Sequence, residues 1–587
     1  MSEYHAPTDD IKFTMEAVAG LPQMRSLPAF SELSDDLVDA ILEEAARFTS
    51  GVIAPLNRTG DAEGTKVVDR AVQEGAGFAD AYQQVVEGGW SSLSASEEYG
   101  GQGLPELLAA GVGESIMSAN MAFSLVTLLS QGSISALSNH GSDELKQRYL
   151  GKLVSGEWTG TMNLTEPQAG SDLGVVKTLA TPTGDHYLLS GQKIFITWGD
   201  HQMTENIVHL VLARTPDAVA GSGGLSLFIV PKFLVNEDGT LGERNDVYPV
   251  SVEHKLGIHA SPTCIMSFGD NGGAIGYLVG ELNRGLAAMF TMMNHARLGV
   301  GLQGVGISER AYQHAVYYAK DRVQGGGQTI IQHPDVRRML MQMRAMTEAG
   351  RALCYSAYAN TDFAEFGTTA EQREFAQQRA DLLTPLAKGW TTELANEVTS
   401  LGVQVHGGMG FIEETGAAQH YRDARILAIY EGTNGIQALD LIGRKLTRDG
   451  GKMMASLIAD IDSSIQALKE QGSSVSDIHD ALAGGRDTLQ HASQWVLENA
   501  KETDLTGSVA FDYLMLSGYV TGAWMLSQKA LLAQQHLANT DSNQSFLNSK
   551  LAVARFFLSN ILPRSSAHWQ AMQAGASTIM ALAESEF

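Results

Sequence analysis

His186 to Thr197 reads HYLLSGQKIFIT, and here the character of the chain changes. Two short apolar runs flank Ser190-Gly191, which is a hairpin signal. Ile207 to Ala213 (IVHLVLA) and Leu225 to Val230 (LSLFIV) follow, short and rich in β-branched residues, with the glycine-rich GSGG at 221–224 between them. These runs predict a compact β domain over residues 161–280. On both sides the periodicity is helical. Upstream, Leu37, Ile41, Ala45 and Phe48 recur at helical spacing behind a cap at Ser34, and GGQGLP from Gly100 to Pro105 is a loop by its glycines and proline. Downstream, helical spacing resumes near Gly285 and runs to Leu446, interrupted at Gly325–Gly327. RDGGK at 448–452 reads as a linker. Beyond it Met454, Leu457, Ile461, Ile465 and Leu468 share one helical face, and Phe546, Leu547, Leu551, Phe556 and Leu558 mark a further apolar helix. The order of helices, strands, helices and an extra helical block argues against a βαβ sheet and predicts a mainly α chain with a central β domain. The expected boundaries are an N-terminal extension 1–39, a helical domain 40–160, the β domain 161–280, a second helical domain 281–446 and an additional helical domain 453–587.

Composition narrows the function classes. The chain has 587 residues, 44% of them hydrophobic and 18% charged, which is the balance of a folded protein rather than a disordered one. Acidic residues outnumber basic ones 66 to 40, giving a net charge of −26. Such a surface repels phosphate backbones and anionic membranes, so nucleic-acid binding is not expected. Cys264 and Cys354 are the only cysteines, too few for a disulfide framework, and a reducing compartment is expected. The opening MSEYHAPTDD has no basic segment followed by an apolar core, and no run of about 18 apolar residues suggests a bilayer span. Cytoplasm is the expected location.

One motif misleads. Gly299-Val300-Gly301-Leu302-Gln303-Gly304 matches G-x-G-x-x-G, but the dinucleotide fingerprint needs a strand before it, and FTMMNHARL is helix-like. Small residues that let helices pack closely are the better reading. Metal chemistry lacks support, with no H-E-x-x-H, no paired C-x-x-C and scattered histidines; His254 and His259 are too isolated to form a site. Three stretches carry signal. Thr165 to Asp172, T-E-P-Q-A-G-S-D, joins two hydroxyls to a glycine that permits close backbone approach, and by itself reads equally as a polar turn. Gln404 to Gly410, Q-V-H-G-G-M-G, by itself reads as a helix C-cap and turn. In Tyr421 to Gln437, Y-R-D-A-R-I-L-A-I-Y-E-G-T-N-G-I-Q, Glu431 follows an apolar run. It is either a surface charge at a helix boundary or a base whose pKa is raised by an apolar surround.

Taken together, in this order and spacing, the T-E-P-x-A-G-S-D loop, the K-I-F-I-T strand, the G-G-M-G-F turn and the I-Y-E-G-T segment resemble the acyl-CoA dehydrogenase family from about residue 40 to 446. The wording ENIVHLVLAR, SLFIVPKFLV, EHKLGIHASPT, FTMMNHARLGVGLQG and EGTNGIQALDLIGRK is similar to a bacterial subgroup, the 3-methylmercaptopropionyl-CoA dehydrogenases and their medium-chain relatives. That subgroup carries an additional C-terminal helical region, which accounts for residues 450–587.

The resemblance implies FAD-dependent oxidation of an acyl-CoA to a trans-2-enoyl-CoA, as in fatty acid β-oxidation, with electrons passed to an electron-transfer flavoprotein. Glu431 is the implied catalytic base and flavin N5 the implied hydride acceptor. The thioester oxygen is implied to bind the Glu431 N–H and a ribityl hydroxyl. Thr165 and Thr197 are implied to bond the flavin ring, Gly170 and Ser171 to border cofactor and CoA, and Phe195 to pack on the flavin where many members have Trp. Arg322 is implied to meet the FAD pyrophosphate across a dimer contact, with Gln404 and Gly408 nearby and Thr433 also on the cofactor. Ser171, Arg297 and Gly432 are implied substrate contacts, although Arg297 reads equally as a structural ion pair. Two departures stand out. Val323-Gln324-Gly325 replaces the Lys-Thr-Phe-Gly run common after the arginine, and Gly435 stands where many members have another residue. Some relatives place the base one position before the arginine matching Arg297; here that residue is Ala296, which cannot accept a proton. The expected substrate is 3-(methylthio)propanoyl-CoA or a short-to-medium acyl-CoA, and the extra helical region suggests a homodimer. An acyl-CoA oxidase that uses oxygen and a non-catalytic homologue acting as a binding protein are the alternatives.

Overall fold

The computed structural model describes residues 4–537 and 543–587; the first three residues of MSEYHAPTDD and residues 538–542 of the last helical block lie outside the described residues. Apart from the short strand pair Lys66–Val68 and Ala71–Gln73, helices occupy the chain up to Asp143–Ser155, strands run from Trp158–Asn163 to Ala274–Val279, and helices return from Gly285–Asp321 onward. The chain is thus mainly α with a β-rich middle. It divides into two compact units, each built from separated segments: Arg47–Pro105 with Ser115–Ala296, and Met1–Ala46 with Glu106–Glu114 and Arg297–Phe587.

The first unit contains an eight-stranded sheet. Strand Asn206–Arg214 is buried at eight of its nine positions because its two faces serve two cores. Val208, Leu210 and Leu212 pack with Leu137, Tyr149, Leu150 and Leu153 from the flanking helices. Val211 and Ala213 pack with Phe228, Val230, Cys264, Met266 and Phe268 of the surrounding strands. Alternation along a strand sends odd and even residues to opposite faces, so a strand with a core on each side reads as a continuous apolar run. Helix Met121–His140 is long and apolar enough by length and composition to cross a bilayer, contrary to the sequence expectation, but 78% of its most apolar window is buried inside the protein. It is the core helix of this unit.

The expected hairpin at Ser190-Gly191 does not form. His186–Thr197 is one 12-residue strand. Its hairpin partner is Leu179–Thr183, paired through Thr183 and His186 across the two-residue turn Gly184-Asp185. Gly191 instead lies where a Cβ would strike Thr178, 2.9 Å from its Cα, so the glycine marks close backbone approach rather than a turn.

The second unit is helical. Ser34 caps helix Asp35–Phe48 by accepting from the Leu37 N–H at 3.1 Å. The buried face of that helix is Val38, Leu42 and Ala45, rotated from the expected stripe, and Leu37 is exposed. Beyond residue 450, Met454, Leu457, Ile461 and Leu468 are buried on helix Lys452–Glu470 as the spacing predicts. The G-x-G-x-x-G stretch lies inside helix Gly285–Asp321. A Cβ at Gly301 would come within 2.8 Å of the Ala387 carbonyl, and one at Gly304 within 3.0 Å of the Thr391 carbonyl. These glycines set helix crossing, not phosphate binding. Arg351 is buried with Asp10, Glu114 and Glu309 around its guanidinium, while Lys529 and Lys550 each reach both Asp10 and Glu348. This network ties the first helix, Thr8–Val18, to helices Pro334–Phe366, Thr503–His536 and Gln544–Phe556.

Candidate active site

Glu431 sits in the turn that precedes helix Asn434–Asp440. Its φ is +55°, followed by Gly432 at +85°. A non-glycine residue in the left-handed region costs about 1–3 kcal/mol and persists only where neighbours enforce it. They do so here. Arg297 Nε donates to the Glu431 carbonyl at 3.3 Å, and Gln437 Nε2 donates to the Glu431 and Gly432 carbonyls at 3.4 and 3.3 Å. The Tyr430 hydroxyl donates to Gln303 Oε1. A Cβ at Gly432 would come 2.8 Å from Gln437 Nε2, so only glycine fits beside this clasp. Among the described residues the Glu431 N–H donates to no acceptor. It is a free donor beside a carboxylate.

The Glu431 side chain is part-buried. Desolvation raises its carboxyl from 4.5 to about 7, against the pull of the Arg297 and Lys388 cations. A carboxyl near 7 accepts a proton far more readily than an exposed one and still ionises at neutral pH. Thr433 is exposed and caps the next helix, its hydroxyl accepting from the Ile436 N–H at 3.3 Å.

In the β-containing unit the T-E-P-Q-A-G-S-D loop is pinned by its second residue. The buried Glu166 carboxylate accepts from the Lys177 N–H at 2.7 Å, the Thr178 N–H at 2.9 Å, the Thr178 hydroxyl at 2.6 Å and Lys193 Nζ at 2.9 Å. Burial pushes this carboxyl up, but Lys193 and the hydrogen bonds outweigh it and hold it at about 2. Thr165 takes part through its carbonyl, which accepts from the Ile194 N–H at 2.9 Å. Its hydroxyl, and those of Ser171 and Thr197, have no partner among the described residues. Ser171 and Gly170 are exposed, and a Cβ at Gly170 would meet nothing within 4 Å, so the chain's own packing does not demand glycine there. Phe195 is 58% exposed at φ +59°. The register between His186–Thr197 and Thr263–Phe268 shifts at this point, so a β-bulge turns the ring outward.

Arg322, Gln404 and Gly408 are exposed in the helical unit. The Arg322 guanidinium has no partner among the described residues. Its backbone begins a small hairpin, with the Ile330 N–H donating to the Arg322 carbonyl at 2.8 Å and Val323 bridged to Thr329. Gly325, Gly326 and Gly327 at φ +70°, +96° and +81° make the turn. Gln404 lies on the last turn of helix Ala370–His406, capped by Gly407 at φ +61°. A Cβ at Gly408 would meet nothing within 4 Å.

The structure therefore brings Arg297, Glu431, Gly432 and Thr433 together. Arg297, only 7% exposed, is held on the backbone of Glu431. Sequence reasoning missed Gln303, Lys388 and Gln437 around Glu431, and Glu166 and Lys193 in the other unit. Glu166 stood inside a quoted motif; for Lys388 no local signal existed, because its meaning comes from a helix crossing.

Family models match nearly the whole chain: the acyl-CoA dehydrogenase N-terminal domain over residues 36–157, the middle domain over 161–270, the C-terminal domain over 283–447, and an acetyl-CoA dehydrogenase C-terminal-like domain over 457–583. A protein of Ruegeria pomeroyi named 3-methylmercaptopropionyl-CoA dehydrogenase is 50% identical over 576 residues, covering 96% of this chain and 97% of that protein. A butyryl-CoA dehydrogenase of Syntrophomonas wolfei is 35% identical, covering 98% and 97%. A solved acyl-CoA dehydrogenase of Bacillus anthracis complexed with FAD matches in fold with a TM-score of 0.72 at 22% identity, covering 94% of this chain and 90% of that one.

Proposed function

This chain belongs to the acyl-CoA dehydrogenase family and is an oxidoreductase, and from that premise we propose that it oxidises a short acyl-CoA to its trans-2-enoyl-CoA with Glu431 as the catalytic base. The observation that carries this reading is the turn at Glu431. It holds a part-buried carboxyl pushed to about 7 next to a backbone N–H with no acceptor among the described residues. The N–H donates to the thioester oxygen and stabilises the negative charge that develops there as the α-proton leaves. That proton moves from carbon to a Glu431 carboxylate oxygen. Arg297 and Gln437, on the carbonyls of the same turn, hold it against relaxation toward ordinary backbone angles.

FAD is the proposed cofactor and supplies, when bound, the two-electron acceptor for the β-hydride. The residues present suit it. Thr165 and Thr197 offer hydroxyls without a partner among the described residues for a polar ring edge, Phe195 an outward aromatic face, and Arg322 a guanidinium likewise without one for a diphosphate. Gly170 and Gly408 leave room for close backbone approach. Gln404 and Thr433 in the helical unit, and Ser171 in the β-containing one, are further proposed ligand contacts.

The proposed substrate is 3-(methylthio)propanoyl-CoA, with butyryl-CoA and similar short chains also used, on the strength of the two relatives named for those acyl groups. The proposed electron acceptor is an electron-transfer flavoprotein and the proposed assembly a homodimer, the latter motivated by the helical block beyond residue 450. The test is Glu431→Gln. Stopped-flow reduction of enzyme-bound flavin by either acyl-CoA should slow by about ten-thousand-fold or more, while flavin content is retained. A variant that bleaches its flavin within about tenfold of the wild-type rate removes Glu431 as the base.

A further inference from the structure

Lys388 is fully buried on helix Ala370–His406, with 0% exposure, and forms no ion pair among the described residues. That is costly. Burying an unpaired ammonium is far less favourable than burying one with a carboxylate, and the other deeply buried lysines comply: Lys193 meets Glu166, Lys232 meets Asp200, and Lys529 and Lys550 meet Asp10 and Glu348. Lys388 Nζ instead donates to Asn434 Oδ1 at 2.8 Å. Asn434 opens the helix that follows Glu431, and its Nδ2 donates to Glu393 Oε1 at 2.7 Å, Thr392 Oγ1 at 2.9 Å and the Gly389 carbonyl at 3.1 Å. The amide is saturated and fixes where the ammonium sits.

The surroundings exclude water from both sides. Gly301 presses on the Ala387–Lys388 backbone, and Gly389 faces Leu514. Gly518 and Gly522 lie so close to Trp390 that a Cβ on either would come within 2.5 Å of the indole. Helix Thr503–His536 of the additional domain therefore packs on the Lys388–Trp390 turn, and it also packs against helix Asn434–Asp440. Its stretch Leu514–Trp524 carries no charged residue; its one phenol in contact with a charge, Tyr519, faces Arg564. The charged or titratable groups near the pair are Arg297 from helix Gly285–Asp321, Glu393 on the same helix as Lys388, Tyr430 before the base, and Asp440 and Arg444 beyond it, which act on Arg297. Helix Pro334–Phe366 brings the Cys354 thiol to Thr391, and Arg351 of the same helix acts on that thiol together with Glu114.

We propose that Lys388, seated by Asn434, is a positioning residue that supplies the counter-charge keeping the Glu431 carboxylate ionised and ready to take the α-proton, and that the additional C-terminal domain keeps this ammonium dry and in place. The inference rests on Glu431 being the base. Electrostatics agree with the geometry: burial lowers Lys388 to about 7, with Glu431 foremost among the groups pulling it back up. When Glu431 takes the proton its charge is lost, and the nearby ammonium then favours release of that proton and return to the carboxylate.

The test is the pH profile of flavin reduction by butyryl-CoA in Lys388→Met and Asn434→Asp holoenzymes. An opposite charge within about 4–6 Å lowers a carboxyl pKa by about 1–3 units. Removing the ammonium should therefore move the rising limb up by about one pH unit, so the rate at pH 6.5 falls about tenfold while the high-pH plateau returns to within about threefold. Asn434→Asp, which gives the ammonium a carboxylate of its own, should shift the limb in the same direction and keeps the test available if Lys388→Met fails to fold. Thermal stability should hold or rise in Lys388→Met, because a dry apolar side chain replaces an unpaired charge. A limb that stays in place in Asn434→Asp, or a uniform loss at every pH, overturns the proposal. If Glu431→Gln is inactive but neither variant moves the limb, only this inference fails; if Glu431→Gln remains active, the assignment of the base fails first.

Discussion

Glu166 and Glu431 are both acidic residues of recognisable motifs, both are enclosed by protein, and they end at opposite extremes. Glu166 accepts from two backbone N–H groups, a hydroxyl and an ammonium and lies at about 2. Glu431 is pushed to about 7 although Arg297 and Lys388 are close, because burial outweighs their charges and among the described residues no hydrogen bond reaches its carboxylate. Burial raises both carboxyls; at Glu166 the Lys193 charge and the hydrogen bonds outweigh it, and at Glu431 the Arg297 and Lys388 charges do not. Glu166, saturated with donors, is a structural pin, and Glu431, without them among the described residues, is the proposed base. The Asp10 and Glu348 cluster belongs with Glu166, burial again opposed and outweighed by Lys529 and Lys550.

The strongest way to stress the saturated class is Arg351→Met, which strips Asp10, Glu114 and Glu309 of a shared guanidinium. Denaturant unfolding should show a loss of about 3–5 kcal/mol, the usual result of leaving buried charges unpaired, with the pH profile of the folded fraction unmoved. A loss below about 1 kcal/mol would place this network with weak surface pairs. Glu166→Gln should cost about 3 kcal/mol. It should also release flavin on heating before the helices melt, because the loop holding Thr165 loses its anchor. Flavin fluorescence and far-ultraviolet circular dichroism that change together would argue against a local pin.

Opposite effects of pH on stability sharpen the contrast. Glu166 lies below its unfolded value of 4.5, so its contribution is fully present above about 4.5 and is lost as pH falls toward 2. Glu431 lies above 4.5, so the fold prefers its neutral form and loses stability as pH rises from 4.5 to about 7. Glu431→Gln should therefore gain about 1–3 kcal/mol at pH 8 and little at pH 4, even as it loses turnover. Equal stability of the two proteins at pH 8 would mean that the carboxylate is better solvated than its surroundings indicate. The smallest effect concerns the wild type. Below pH 7 its flavin-reduction rate should fall about tenfold per pH unit as the base is protonated, and a flat profile down to pH 5 would contradict a base near 7.

Much of the fold was readable in order and spacing. The switch from helical periodicity to short β-rich runs near residue 160 and back near 285 corresponds to the observed elements, because both periods report which face is buried. Ser34 was legible as a cap because a cap acts within three residues. The acyl-CoA dehydrogenase signature was legible because several short motifs recur together. The hairpin at Ser190-Gly191 misled because glycine serves both turns and close packing, and only the neighbouring Thr178 decides which. The face of helix Asp35–Phe48 depended on what it packs against, and so did the role of the glycines at 301 and 304. Glu431 could be named from the sequence as the candidate base; its pKa could not, since that depends on burial and on Arg297 and Lys388 arriving from distant helices. Residue type and local spacing belong to the chain. Desolvation and the direction of each hydrogen bond exist only once the helices have crossed.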